Sequence, residues 1–142
     1  MNKYLSKMTL NVNGLNPPIK RHRVAEWIRK HDPHICCLQE THLSTKDLHR
    51  LKVKGWKKIF QANEQERKTG VAILISEKTD FKTKAIKRDP EGPFIILKGR
   101  VHQEDKNIIN KYAPNRGAPK YIRKSWRTSR KIWTVTCYRR GF

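Results

Sequence analysis

MTLNVNGLNPPIKRHRVAEWIRKHDPHICCLQE, residues 8–40, is the stretch whose reading decides the fold. Met8, Leu10 and Val12 alternate with Thr9, Asn11 and Asn13. A period of two marks a strand, and Asn13-Gly14 ends it. Pro17 and Pro18 suit the first turn of a helix, where a missing N–H is no loss. Val24, Trp27, Ile28 and His31 then recur at helical spacing, with Arg and Lys on the other face. Asp32-Pro33 stops the helix, because the residue before a proline is pushed out of helical backbone. Ile35, Cys36, Cys37 and Leu38 are apolar on both faces, as in a buried strand, and Gln39-Glu40-Thr41 closes it. The spacing predicts a βαβ unit with parallel strands and a right-handed crossover. If the strands are neighbours, their carboxyl ends share one sheet edge. Asn11 and Glu40 then meet there.

Working outward, the later chain is richer in strands. Residues 71–75 (VAILI) and 94–97 (FIIL) are the clearest, with 57–61, 81–86 and 107–112 as further candidates. Residues 63–69 and 90–93 read as connecting turns. One early helix followed by many strands predicts an α+β layered domain. Residues 120–140, KYIRKSWRTSRKIWTVTCYRR, carry eight basic residues with Trp126 and Trp133 and show no sustained period. The chain therefore divides into a folded part, 1–119, and a basic tail, 120–142, without stable regular structure.

Composition narrows the function. Among 142 residues, 33 Lys and Arg stand against 12 Asp and Glu, a formal net charge of +21. All 12 acids precede residue 106. Such a balance attracts polyanions, so DNA or RNA, held through phosphates, is the expected partner, with a steep salt dependence. No apolar run approaches the roughly 18 residues of a membrane span. The first residues lack a secretory signal, and three cysteines, two of them adjacent, make no disulfide framework. A nuclear or cytoplasmic, non-secreted setting is expected.

Two constellations can carry chemistry. Glu40, at the end of a buried strand, is an oxygen ligand of the kind Mg²⁺ takes, and a nearby amide such as Asn11 can orient it. The same residues also read as turn formers and a surface acid. Tyr112, before Ala113-Pro114-Asn115, can donate its hydroxyl to a phosphate oxygen, or serve as a packing aromatic. The six histidines show no metal spacing, although His42 lies two residues from Glu40. There is no Gly-rich phosphate loop and no nucleophile elbow. Cys36 and Cys37 read as buried packing on opposite faces. Trp126 and Trp133 among cations could stack on bases or be chance aromatics.

LNVNGLN (10–16), the helix 20–29, CCLQETHL (36–43), KGW (54–56), GVAILIS (70–76) and KYAPN (111–115) together resemble one family. It is the N-terminal endonuclease domain of the mammalian long interspersed element retrotransposon polyprotein. That domain is similar to exonuclease III and the apurinic/apyrimidinic endonucleases, in the endonuclease/exonuclease/phosphatase superfamily. The resemblance runs from about residue 8 to about residue 122. It implies a two-layered β-sandwich flanked by helices and Mg²⁺-dependent hydrolysis of a DNA phosphodiester. The nick would leave a 3′ hydroxyl that primes reverse transcription. By motif, Glu40 is the metal-binding carboxylate, Asn11 its catalytic neighbour and Tyr112 the phosphate-side tyrosine. Asn13, Thr41 and Asn115 are substrate contacts. No small-molecule cofactor is implied.

The departures are as informative. The family's GDFN-type and SDH-type segments, which supply later Asp, Asn and His residues, have no counterpart here. After about Ile122 the chain is acid-free and basic, as a shifted reading frame produces. Lys111 stands where the family prefers an apolar residue. The sequence thus predicts the first part of the sandwich only, with strand edges and an apolar face uncovered. Little or no nicking is expected. The competing readings are a basic nucleic-acid-binding fragment without chemistry and a non-functional translation product.

Overall fold

A computed structural model describes residues 5–43, 45–63, 70–88, 94–112 and 132–137. The βαβ unit is present. β1 (Lys7–Asn11) leads through α1 (Pro18–His31) to β2 (Ile35–Gln39). The two strands pair in parallel, Lys7 opposite Ile35 and Asn11 opposite Gln39. Pro17 precedes the helix in extended backbone, and Pro18 opens it. Arg29, Lys30 and His31 fill its last turn, where cations complement the negative end of the helix dipole. Asp32 ends it in the left-handed region, its N–H donating to Ile28 O at 2.8 Å. Lys78 Nζ fixes that corner, 2.6 Å from the Asp32 carboxylate.

A short 3₁₀ helix (Thr45–Arg50) follows, then β3 (Lys58–Asn63) and β4 (Gly70–Ile75). β4 inserts antiparallel between β2 and β3, giving the order β1-β2-β4-β3. A second sheet has β5 (Lys82–Arg88), β6 (Phe94–Val101), β7 (Glu104–Tyr112) and β8 (Ile132–Cys137), in that order. β5, β6 and β7 are antiparallel neighbours, and β8 runs parallel to β7. The result is an α+β fold of two mixed sheets flanked by a helix.

Alternation along β2 divides the core into two layers. Cys36 and Leu38 join Val24, Ile28 and Trp56 beneath α1. Ile35 and Cys37 join Ile73, Phe81, Ile95 and Ile108 between the sheets. The adjacent cysteines therefore face opposite layers, and both are buried. Phe81 lies directly over Gly99. A Cβ added at Gly99 would fall 2.4 Å from the Phe81 ring, so this crossing needs glycine.

Three strand readings match within a few residues: 57–61 became β3, 81–86 β5 and 107–112 part of β7. Of the turns read at 63–69 and 90–93, Asn63 is the last residue of β3, and the rest lie outside the described residues. Within 120–142, where the sequence shows no sustained period, Ile132–Cys137 is paired as a strand. Its alternation of Trp, Val and Cys with Thr is short and flanked by cations, which hides it. Among the residues whose side chains are described, Ile19 on α1 is the exposed large hydrophobic, so the apolar face expected to lie open is not found there. This stretch of chain supplies strands to both sheets, so each covers the other.

Candidate active site

Parallel pairing puts the carboxyl ends of β1 and β2 at one edge, and backbone bonds lock the segments leaving it. Val12 N donates to Gln39 O at 2.9 Å, Gly14 N to Glu40 O at 2.7 Å, and Leu15 N to Thr41 O at 2.9 Å. Thr41 N reaches Gly70 O at 3.0 Å, tying the edge to β4 as well. Asn13, Glu40 and His42 all adopt positive φ, near 50–55°, and Gly14 has φ 92°. Each non-glycine in that region costs of order 1–2 kcal/mol. Three such residues persist at one edge because the cross-bonds over-determine them, a pattern typical of functional sites.

The side chains converge on Glu40. Asn11 Nδ2 donates to Glu40 Oε2. Asn11 Oδ1 accepts from the Asn13 N–H at 3.0 Å, which orients the amide. The other carboxylate oxygen, Oε1, lies 4.0 Å from His42 Nε2. Asn11 is 3% exposed, whereas the Glu40 side chain is 14% and that of His42 34% exposed. The carboxylate is thus held from below and remains reachable from solvent. Asn16 Nδ2 steadies the His42 backbone, donating to its carbonyl at 3.1 Å.

A buried amide pair supports this edge. Gln39 Nε2 donates to Asn110 Oδ1 at 3.0 Å. Asn110 Nδ2 bonds Leu38 O at 3.2 Å and Ala72 O at 2.8 Å. One side chain of β7 thereby binds two strands of the opposite sheet. Tyr112, two residues beyond Asn110, is the last residue of β7.

The structure therefore brings Asn11, Asn13, Glu40 and Thr41 to one edge. Thr41 is fully buried, and its Oγ1 has no partner among the described residues. Asn115 lies outside the described residues. The reading of the sequence missed Gln39 and Asn110. Their signal was a polar amide inside an otherwise apolar strand, ICCLQ and NIIN.

As for Mg²⁺, the oxygen chemistry fits but the donor set is small. Among the described residues no group of three or more His, Cys, Asp or Glu could hold a metal ion. Glu40 offers one carboxylate, and Asn11 Oδ1 is already engaged. Mg²⁺ takes six oxygens and is often bound by one or two carboxylates plus substrate phosphate, keeping several waters. Glu40 alone matches the low end of that pattern.

The fold has solved relatives. A truncated TDP2 from Caenorhabditis elegans superposes with TM-score 0.66 at 18% identity, covering 94% of this chain and 61% of that one. Danio rerio TDP2 in complex with a single-strand DNA product gives 0.67 at 13% identity, covering 96% and 60%. The chain thus spans about three fifths of the length of these relatives. Among the described residues no helix is long and apolar enough to cross a membrane. Residues 8–132, almost the whole of the sandwich just described, match the endonuclease/exonuclease/phosphatase family, and the chain belongs to that family.

Proposed function

We propose that this chain carries the Glu40 half of a Mg²⁺-dependent DNA phosphodiester hydrolase site of long interspersed element type. As it stands, it binds nucleic acid with little or no cleavage. The observation behind this reading is the Asn11 amide on the Glu40 carboxylate at the shared strand edge, with His42 alongside. Glu40 would hold Mg²⁺, which when bound polarises a phosphoryl oxygen. Asn11 keeps the carboxylate aimed, and Tyr112 at the end of β7 and Asn115 beyond it supply the phosphate side. Asn13 and Thr41 border the substrate. Charge near +21 brings the polyanion to this edge.

These 142 residues do not supply the opposite wall. The GDFN-type and SDH-type segments are absent from the sequence. General-base assistance contributes ~10²–10⁴ in rate, and its loss comes on top of lost charge stabilisation. The test is a supercoiled-plasmid nicking assay with Mg²⁺, run beside duplex-DNA binding at several salt concentrations. Nicking should be at background. Binding should fall steeply with salt and be the same for Glu40→Ala. Mg²⁺-dependent nicking that Glu40→Ala abolishes would overturn the reading.

A further inference from the structure

A second concave site lies at the far edge of the first sheet. Ile59 sits at the start of β3, next to Lys58, which is opposite Ile75; Ile75 in turn is opposite Ile35, the first residue of β2. Glu40 follows the last residue of β2. A strand length, roughly 17 Å, therefore separates the two places. The cleft there holds about 440 Å³ and opens between the last turn of α1 and residues 51–59. That is room for one large side chain or a small ligand, within the ~300–1,000 Å³ usual for binding clefts.

Its lining is sharply divided. The largely buried Leu51, Val53 and Trp56 and the half-buried Ile59 make an apolar floor. Arg29, Lys52, Lys54 and Lys57 make the rim, and among the described residues no carboxylate lines it. Lys57 is paired with Glu77 at 3.5 Å. Arg29, Lys52 and Lys54 are exposed and have no ion-pair partner among the described residues. Three cations without an ion-pair partner among the described residues, around an apolar hollow, select an anionic partner with an apolar centre.

We propose that this cleft docks an acidic peptide segment, one apolar side chain on the floor and flanking Asp or Glu on Arg29, Lys52 and Lys54. A nucleic-acid strand fits less well. Sequence-tolerant strand binding uses exposed aromatic faces as stacking platforms. The ring here, Trp56, is 4% exposed, and its indole N–H is engaged with Pro33 O at 3.0 Å. An aliphatic floor also has no donors or acceptors for base edges. Apolar anchors in a groove and acidic motifs on cation clusters are both recurring modes of peptide recognition. The occupant is unlike the basic 106–142 segment of this chain, which has no acid, and two copies at +21 repel. The inference is independent of the hydrolase reading, since it uses no residue of the Glu40 edge.

The test uses the full chain and a short fluorescein-labelled peptide with a central leucine flanked by glutamates, read by anisotropy at physiological salt. The peptide should bind. Replacing its leucine by alanine should weaken binding about tenfold, as loss of a buried apolar side chain does. Lys52→Glu with Lys54→Glu should weaken it at least about tenfold. Lys82→Glu with Lys87→Glu, the same charge change on β5, should leave it close to unchanged. Equal binding of the alanine peptide, or equal loss from both pairs of reversals, would reduce the effect to general attraction of a polyanion and overturn the proposal. A short oligothymidylate that displaces the peptide and loses affinity selectively on the Lys52/Lys54 reversal would assign the cleft to nucleic acid instead, which also overturns it. Both reversals alter exposed lysines, and unchanged far-UV circular dichroism verifies the fold.

Discussion

Gln39 and Asn110 form an amide-to-amide bond of 3.0 Å through the apolar layer between the sheets, one residue before Glu40. Asn110 also satisfies two backbone carbonyls of the opposite sheet, so its removal leaves several buried groups unpaired. Each such group costs about 1–3 kcal/mol. Asn110→Ala should therefore lower the unfolding free energy by about 2–4 kcal/mol in a urea titration. A loss under about 0.5 kcal/mol, the size of a neutral surface change, would show that the bridge is not holding the sheets.

The Asn11–Glu40 contact is expected to couple energetically. Asn11→Ala leaves a largely buried carboxylate without its donor. A double-mutant cycle with Glu40→Ala should return an interaction energy of about 0.5–3 kcal/mol. Additive effects would mean that each residue is held by its own neighbours.

At the Phe81–Gly99 crossing, Gly99→Ala must displace both the ring, 2.4 Å from the new methyl, and the Lys82 carbonyl, 2.6 Å from it. Overpacking of this kind costs about 1–3 kcal/mol. Pairing it with Phe81→Leu should restore part of the loss by removing the ring edge. A thermal melt of the two variants decides it.

The hairpin between β6 and β7 closes on His102 and Gln103, both at positive φ, with Val101 opposite Glu104. That is the type I′ geometry, in which Asn-Gly is the favoured pair. His102→Asn with Gln103→Gly should raise stability by about 0.5–2 kcal/mol, measured by chemical denaturation. No gain would show that the pair makes other contacts that outweigh backbone strain.

Burial disfavours the thiolates of both adjacent cysteines. Cys36 is pushed from 9.0 up to about 12, and Cys37 is also raised well above its ordinary value, by burial first and then by Cys36. Neither thiol should react with a thiol-specific disulfide reagent at pH 8 in the folded state, and both should react in denaturant. The linkage sign follows from a folded pKa above the unfolded one. There is no pH effect from these groups below about 9, where both states keep the proton. Between 9.0 and about 12 the unfolded chain deprotonates first, so stability falls as pH rises. A denaturation midpoint constant from pH 8 to pH 11 would contradict it.

Local pattern made much of this protein legible. The alternation in 8–13, the helical spacing of 24–31 and the unbroken apolar run ICCL specify a βαβ unit, and parallel strands must end at one edge. That ground puts Asn11 and Glu40 together once the two strands are neighbours, and the pairing shows that they are. Gln39 and Asn110 could not be placed together in this way, because a polar residue in an apolar strand announces that it is buried with a partner but not which partner. They stand 71 residues apart in the chain.

The sequence by itself determined the βαβ unit, the strands at 71–75 and 94–97, and the excess of cations, since all of these follow from side chains close together along the chain. Only the tertiary structure decided that β4 enters between β2 and β3, that the second sheet covers the first, and that Leu51 to Ile59 forms a cation-rimmed cleft beside Arg29. Those outcomes depend on long-range packing, where many registers satisfy the same local pattern and burial of two apolar layers selects one of them.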